Sequence, residues 1–130
     1  MGSRGAFVDV DMGNFTFKNK ENQVYFSIGS LSNNDNVKIL IQEKGSVKAP
    51  EYSHTSGRTY AIVQDGYLKH LTFYDESNKQ HISIDLLHSH SGVQPHVHID
   101  LHHDKNAPGI SPTDEQRKLI ARIKKEYNLL

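Results

Sequence analysis

The run Pro95-His-Val-His-Ile-Asp-Leu-His-His-Asp104 holds four of the chain's nine histidines and alternates polar with apolar residues. A two-residue period fits an extended strand, with His96, His98, Asp100 and His102 on one face and Val97, Ile99 and Leu101 on the other. The expectation is a half-buried strand, its aliphatic side packed on a core and its histidine side open to a cleft. Solvated strand faces are ordinarily built from Thr, Lys, Glu and Ser. Imidazoles gain and lose protons near neutrality, so this density points to acid–base chemistry or metal binding.

The remaining composition narrows the choices. A chain of 130 residues suffices for one domain with its own core and is too short for two of ordinary size. Fifteen basic and fifteen acidic residues cancel. That excludes a protein that coats nucleic acid by bulk charge and leaves room for a local patch engaging a few phosphates. The absence of cysteine rules out disulfides, thiolate zinc sites and thiol nucleophiles. No apolar stretch has the length of a membrane span, and no signal peptide is visible. Met1-Gly2-Ser3 reads as an expression remnant, so residues 1–5 are expected to be disordered and 6–130 to form a single domain.

Residues 7–10, 14–18, 23–28 and 37–42 read as strands rich in β-branched and aromatic residues, with turn material at 30–36. Residues 44–57 read as a long loop. Strands at 58–63 and 67–74 join around Asp65-Gly66, and a second turn at 75–79 leads to a strand at 81–87. After a loop at 88–94, residues 97–101 end the sheet. Ser111 is the expected helix cap, with Pro112 at the first helical position and Asp114 three residues after the cap. Leu119, Ile120, Ile123 and Tyr127 mark one helical face. The predicted fold is α+β, a twisted antiparallel β-meander with a C-terminal α-helix packed on it.

Two chemistries suit the histidine strand. Metal-free RNA cleavage needs a base for the 2′-hydroxyl, an acid for the leaving 5′-oxygen and a cation for the phosphorane. His96 and His98, with Cβ atoms roughly 6–7 Å apart, would then flank a phosphate. Alternatively, His96 and His98, with Asp100 or His102, or the second pair His88 and His90, hold Zn²⁺ or Ni²⁺ in a non-catalytic or virion-structural module. His102, His103 and Asp104 read equally as solvated edge residues, and His70 and His81 as surface positions. The loop Ser53-His-Thr-Ser-Gly-Arg-Thr-Tyr60 delivers Arg58, suited to forked phosphate contacts. The cations from Arg117 to Lys125 read as a solvated helix face or as a patch for a structured RNA such as tRNA.

The segments Gly57-Arg-Thr-Tyr-Ala-Ile-Val-Gln-Asp-Gly66, Leu68-Lys-His-Leu-Thr-Phe-Tyr-Asp75, Ile84-Asp-Leu86, Pro95-His-Val-His98 and the terminal Ser-Pro-Thr-x-Glu helix together resemble one group of proteins. The group comprises the C-terminal domains of bacterial polymorphic toxins and phage minor-head (MuF-type) proteins, assigned to the barnase–EndoU–colicin–RelE-like ribonucleases. The likeness runs from residue 54 to the C-terminus, and residues 1–47 have no part in it. It implies a metal-independent ribonuclease with no cofactor, carried on a larger secreted or phage-borne protein. It also implies action in the cytoplasm of a target cell and neutralisation by a cognate immunity protein. Arg58, Asp85, His96 and His98 fall on the motif positions, with Lys69 and Asp75 beside them.

Overall fold

The computed structural model describes residues 9–11, 14–18, 24–42, 49–87, 92–99 and 109–130. Among these residues eight strands form one sheet whose spatial order follows the chain: β1 (Asp9–Asp11), β2 (Asn14–Lys18), β3 (Val24–Leu31), β4 (Asn34–Gln42), β5 (Thr59–Gln64), β6 (Tyr67–Tyr74), β7 (Gln80–Asp85) and β8 (His96–Ile99). Among the described residues one helix, α1 (Asp114–Tyr127), follows them. The α+β arrangement is the expected one. Neighbours within β1–β4 and within β5–β8 are antiparallel, but β4 and β5 run parallel, with Val37 opposite Thr59 and Ile41 opposite Val63. The cause is the connection from Gln42 to Thr59. It exceeds the roughly dozen residues a parallel return requires, whereas the other described joints are tight turns.

Those turns carry their sequence signals. Asp65 and Gly66 both adopt positive φ, the mirror-image turn that suits a two-residue hairpin, and Gln64 pairs with Tyr67 across it. Asp75 accepts from the Ser77 and Lys79 amides at 2.8 and 2.9 Å, and Asn78 takes the left-handed conformation in that turn. The turn expected over residues 30–36 contracts to Ser32 and Asn33, so β3 and β4 are longer than the sequence suggested.

β5 is buried along its whole length, Thr59 to Gln64, so both faces of the sheet are covered there. One face presents Leu31, Val37, Ile39, Ala61, Leu71 and Ile84 to α1, which buries Ile120 and Ile123 against them and half-buries Leu119 and Tyr127. The expected helical stripe is therefore the packing stripe. Three side chains fix the far end of the helix to the β3–β4 turn. Tyr127 Oη donates to the Ser30 carbonyl at 2.7 Å, Glu126 accepts from the Ser32 amide and hydroxyl at 2.9 Å each, and Arg122 donates to the Ser32 carbonyl. Gly29, at φ 145°, lies where a Cβ would come within 2.9 Å of the Tyr127 oxygen, so the close approach favours glycine.

The helix cap is Thr113 rather than Ser111. Thr113 Oγ1 accepts from the Gln116 amide at 3.1 Å while Gln116 Oε1 accepts from the Thr113 amide at 2.8 Å. This reciprocal box satisfies two amides that Ser111 could not reach, and it places Pro112 before the cap rather than inside the first turn. Asn128, left-handed, closes the other end. Among the described residues no helix is long and apolar enough to cross a membrane.

Candidate functional site

The second face of the sheet is buried too, but its content differs. Tyr25, Leu40, Tyr60, Ile62 and Tyr74 form an apolar island with Ala49 against it. The chain at 50–55 is tied there: Tyr74 Oη donates to the Pro50 carbonyl, Gln80 Nε2 donates to the same oxygen at 3.1 Å, and the His54 amide donates to Tyr60 Oη at 3.0 Å. Burial is the leading cause that raises the phenols of Tyr74 and Tyr60 above the ordinary tyrosine range, Tyr74 far more strongly. Beyond the island the same face turns polar, with Ser27, Gln42, Thr72, Ser83 and His96 all buried.

This second buried layer overturns the burial expected along the histidine strand. His96 is 4% exposed and Val97 9%, so both sides of β8 are covered at its start, while Ile99, expected inside, is 43% exposed. His98 lies between these extremes. The imidazole face looks across a covered polar layer at His96 and opens only toward His98. Leu101 and Asp100 lie outside the described residues, as do His102, His103, Asp104, His88 and His90.

The two imidazoles touch. Nε2 of His96 and Nε2 of His98 are 2.9 Å apart, with ring centroids 4.6 Å apart and planes at 78°. The distance is that of a hydrogen bond in which one ring nitrogen donates and the other accepts, the roles set by the tautomers. It leaves no space for a phosphate between the rings, contrary to the sequence expectation. Extended i, i+2 side chains share a face, and ring rotation about χ1 and χ2 closes the gap that the strand rise would leave.

Register supplies the neighbours. Asp85 is opposite His96 across β7–β8 and opposite His70 across β6–β7, giving a row His70–Asp85–His96 on one face. Direct cross-strand partners have Cβ atoms about 4.5–5.5 Å apart. The parallel row is Thr72–Ser83–His98, and its Thr72 and Ser83 hydroxyls share a buried hydrogen bond of 2.9 Å. Asp85 also accepts from the Leu87 amide at 3.1 Å, which holds the exit of β7. Sequence reasoning set His70 aside as a surface residue, yet it is half-buried in this row. Equal steps counted back from the Tyr74–Gln80 pair would set His70 opposite Ile84; an irregularity between Phe73 and Tyr74 shifts the register by one residue and sets it opposite Asp85, so turn counting alone would have missed the row.

The cations sit apart from the pair. Lys69 occupies a bulge in β6, between the Val63–Leu68 and Ile62–His70 pairs, and its ammonium is 3.4 Å from Gln64 Oε1. That places Lys69 on the polar side, two strands from β8. Arg58 precedes β5, three strand positions from β8, and donates to the Asp35 carbonyl at 2.9 Å in the opposite direction. Its charge is felt at Lys38, whose ammonium pKa is lowered, by burial first and by Arg58 second, with Asp35 opposing. Asp75 is a turn residue and His81 is exposed. Asp85, His96 and His98 are thus brought together, Lys69 lies near them, and Arg58 does not.

Among the described residues no group of three His, Asp or Glu side chains is placed to hold a metal ion. The chain matches no family model, no curated protein and no solved structure.

Proposed function

We propose that the domain is a metal-independent endoribonuclease of the toxin type, acting on RNA through His98 and His96. The observation that carries this reading is the 2.9 Å contact between the two Nε2 atoms, with Asp85 in register behind His96. His98, the more accessible ring, meets the substrate. It takes the 2′-hydroxyl proton as the 2′-oxygen attacks phosphorus, and the pair returns that proton to the 5′-oxygen as the P–O5′ bond breaks. Products are a 2′,3′-cyclic phosphate and a 5′-hydroxyl. Asp85 positions His96, and Lys69 supplies the cation for the phosphorane. Arg58, tied to Asp35, serves the architecture of the β4–β5 joint instead. The polymorphic-toxin and phage minor-head resemblance of residues 54–130 supports the same reading. It adds an immunity protein as partner, a larger secreted or phage-borne parent and a target-cell cytoplasm as the place of action.

The test is incubation of the folded domain with total cellular RNA in the presence of EDTA. RNA fragments ending in 2′,3′-cyclic phosphate are expected, with DNA untouched because it lacks the nucleophilic hydroxyl. Intact RNA after prolonged incubation with folded protein overturns the reading.

A further inference from the structure

Two imidazole nitrogens in direct contact make a geometry with a second use. On a tetrahedral metal with Zn–N bonds of 2.0–2.1 Å, two ligand nitrogens stand about 3.3 Å apart. The Nε2 atoms of His96 and His98 are already 2.9 Å apart. A few tenths of an ångström of ring motion would admit a metal ion in place of the hydrogen bond. Burial of His96 fixes one ligand in advance, and the partial exposure of His98 gives the ion and its waters a way in. Asp85, opposite His96, stands where an outer-shell carboxylate commonly orients a ligating ring. Imidazole pairs favour borderline cations such as Zn²⁺ over Mg²⁺ or Ca²⁺, which prefer oxygen.

We infer that the His96–His98 pair is a two-imidazole capture site for Zn²⁺, completed by water, and that the bound ion silences the domain by displacing the proton the pair must move. The silencing rests on the ribonuclease reading above; the capture rests on geometry alone.

Zn²⁺ is titrated into the metal-free domain without RNA, in competition with a chromophoric chelator, and ring-¹⁵N NMR follows the imidazoles. The expected result is a tightest event of one Zn²⁺ per chain that shifts the Nε2 resonances of both His96 and His98. His98→Ala should weaken that event by at least the roughly 10–100-fold that loss of an outer-shell partner costs. A control carrying His54→Ala and His81→Ala, both exposed, should retain it. Parental affinity in folded His98→Ala, or unmoved His96 and His98 resonances at saturation, overturns the capture site whether or not RNA is cut. RNA cleavage is then measured in EDTA and with one equivalent of Zn²⁺ added. Cleavage in EDTA that Zn²⁺ abolishes in the parent supports the silencing. Cleavage that Zn²⁺ leaves unchanged or increases overturns it. Zinc captured at the pair by a domain that cuts no RNA would keep the site and refute the ribonuclease reading.

Discussion

The two faces of this sheet are both buried, and they are buried for different ends. The helix-covered face is aliphatic, with Ile120 and Ile123 set against Ala61, Leu71 and Ile84. The opposite face interrupts its tyrosine and leucine island with Thr72, Ser83 and His96, all of them buried. An aliphatic face gains by simple removal of area from water. A buried polar face gains little, because each group exchanges water for one protein partner and is costly if that partner is lost. Stability therefore resides on the helix side and in the tyrosine–leucine island, and the proposed chemistry where burial brings least. The same fold supports both because the strands alternate.

The sharpest way to break this contrast is to compare His98→Ala with His96→Ala. His98→Ala is expected to lower RNA cleavage by about 10²–10⁴-fold and to cost only about 0.5–1.5 kcal/mol, because the opening it leaves lets water take over as partner of the His96 ring. His96→Ala should lose cleavage and also cost about 1–3 kcal/mol, since it removes a buried, bonded ring. Equal stability of the two variants in urea would mean the polar layer is not a packed layer. Next in size, Ile123→Ala on the helix side should cost about 2–5 kcal/mol with the activity of the remaining folded protein intact. A loss of activity without a loss of stability there would reverse the assignment of roles.

A third measurement is alkaline unfolding. Tyr74 and Tyr60 have folded-state pKa values raised by burial, so the unfolded chain gives up its phenolic protons first. Their contribution is complete below the unfolded value of about 10 and is lost progressively above it. Chemical denaturation at stepped pH should show that decline, with tyrosinate absorbance of the buried rings appearing together with unfolding. Tyr74→Phe should flatten the decline. Free titration of every tyrosine in a folded domain would contradict it. Smallest of all, Arg58→Ala should leave cleavage close to the parental rate, because its guanidinium is turned toward Asp35. A large loss would return Arg58 to the reaction centre.

Local signals in the sequence were reliable where one principle dominated. Asp65-Gly66, the turn at Asp75 and the stripe Leu119–Ile120–Ile123–Tyr127 each appear where turn chemistry or helical period placed them. The burial of His96 was not legible, because a two-residue period says which residues share a face and not whether that face meets water. The parallel joint was not legible because strand direction depends on where a long connection lands. The displaced cap shows a closer contest, in which Ser111-Pro112 looked right locally but Thr113 had Gln116 three residues on to return the bond. His98 and Asp85 were visible as residue types. Their companionship with His70 required the β6–β7 register.

The bonds from α1 to the β3–β4 turn close over distances of 90, 94 and 97 residues in sequence. On a ribosome the helix is made after all the described strands of the sheet. Until it emerges, the strands can pair but the aliphatic face of Leu71, Ile84 and Ile39 has nothing to pack on. For that interval the nascent domain is a sheet with one sticky side, the kind of species that associates with its neighbours. Completion of the helix then acts as a latch, converting an aggregation-prone sheet into a closed domain in one late step.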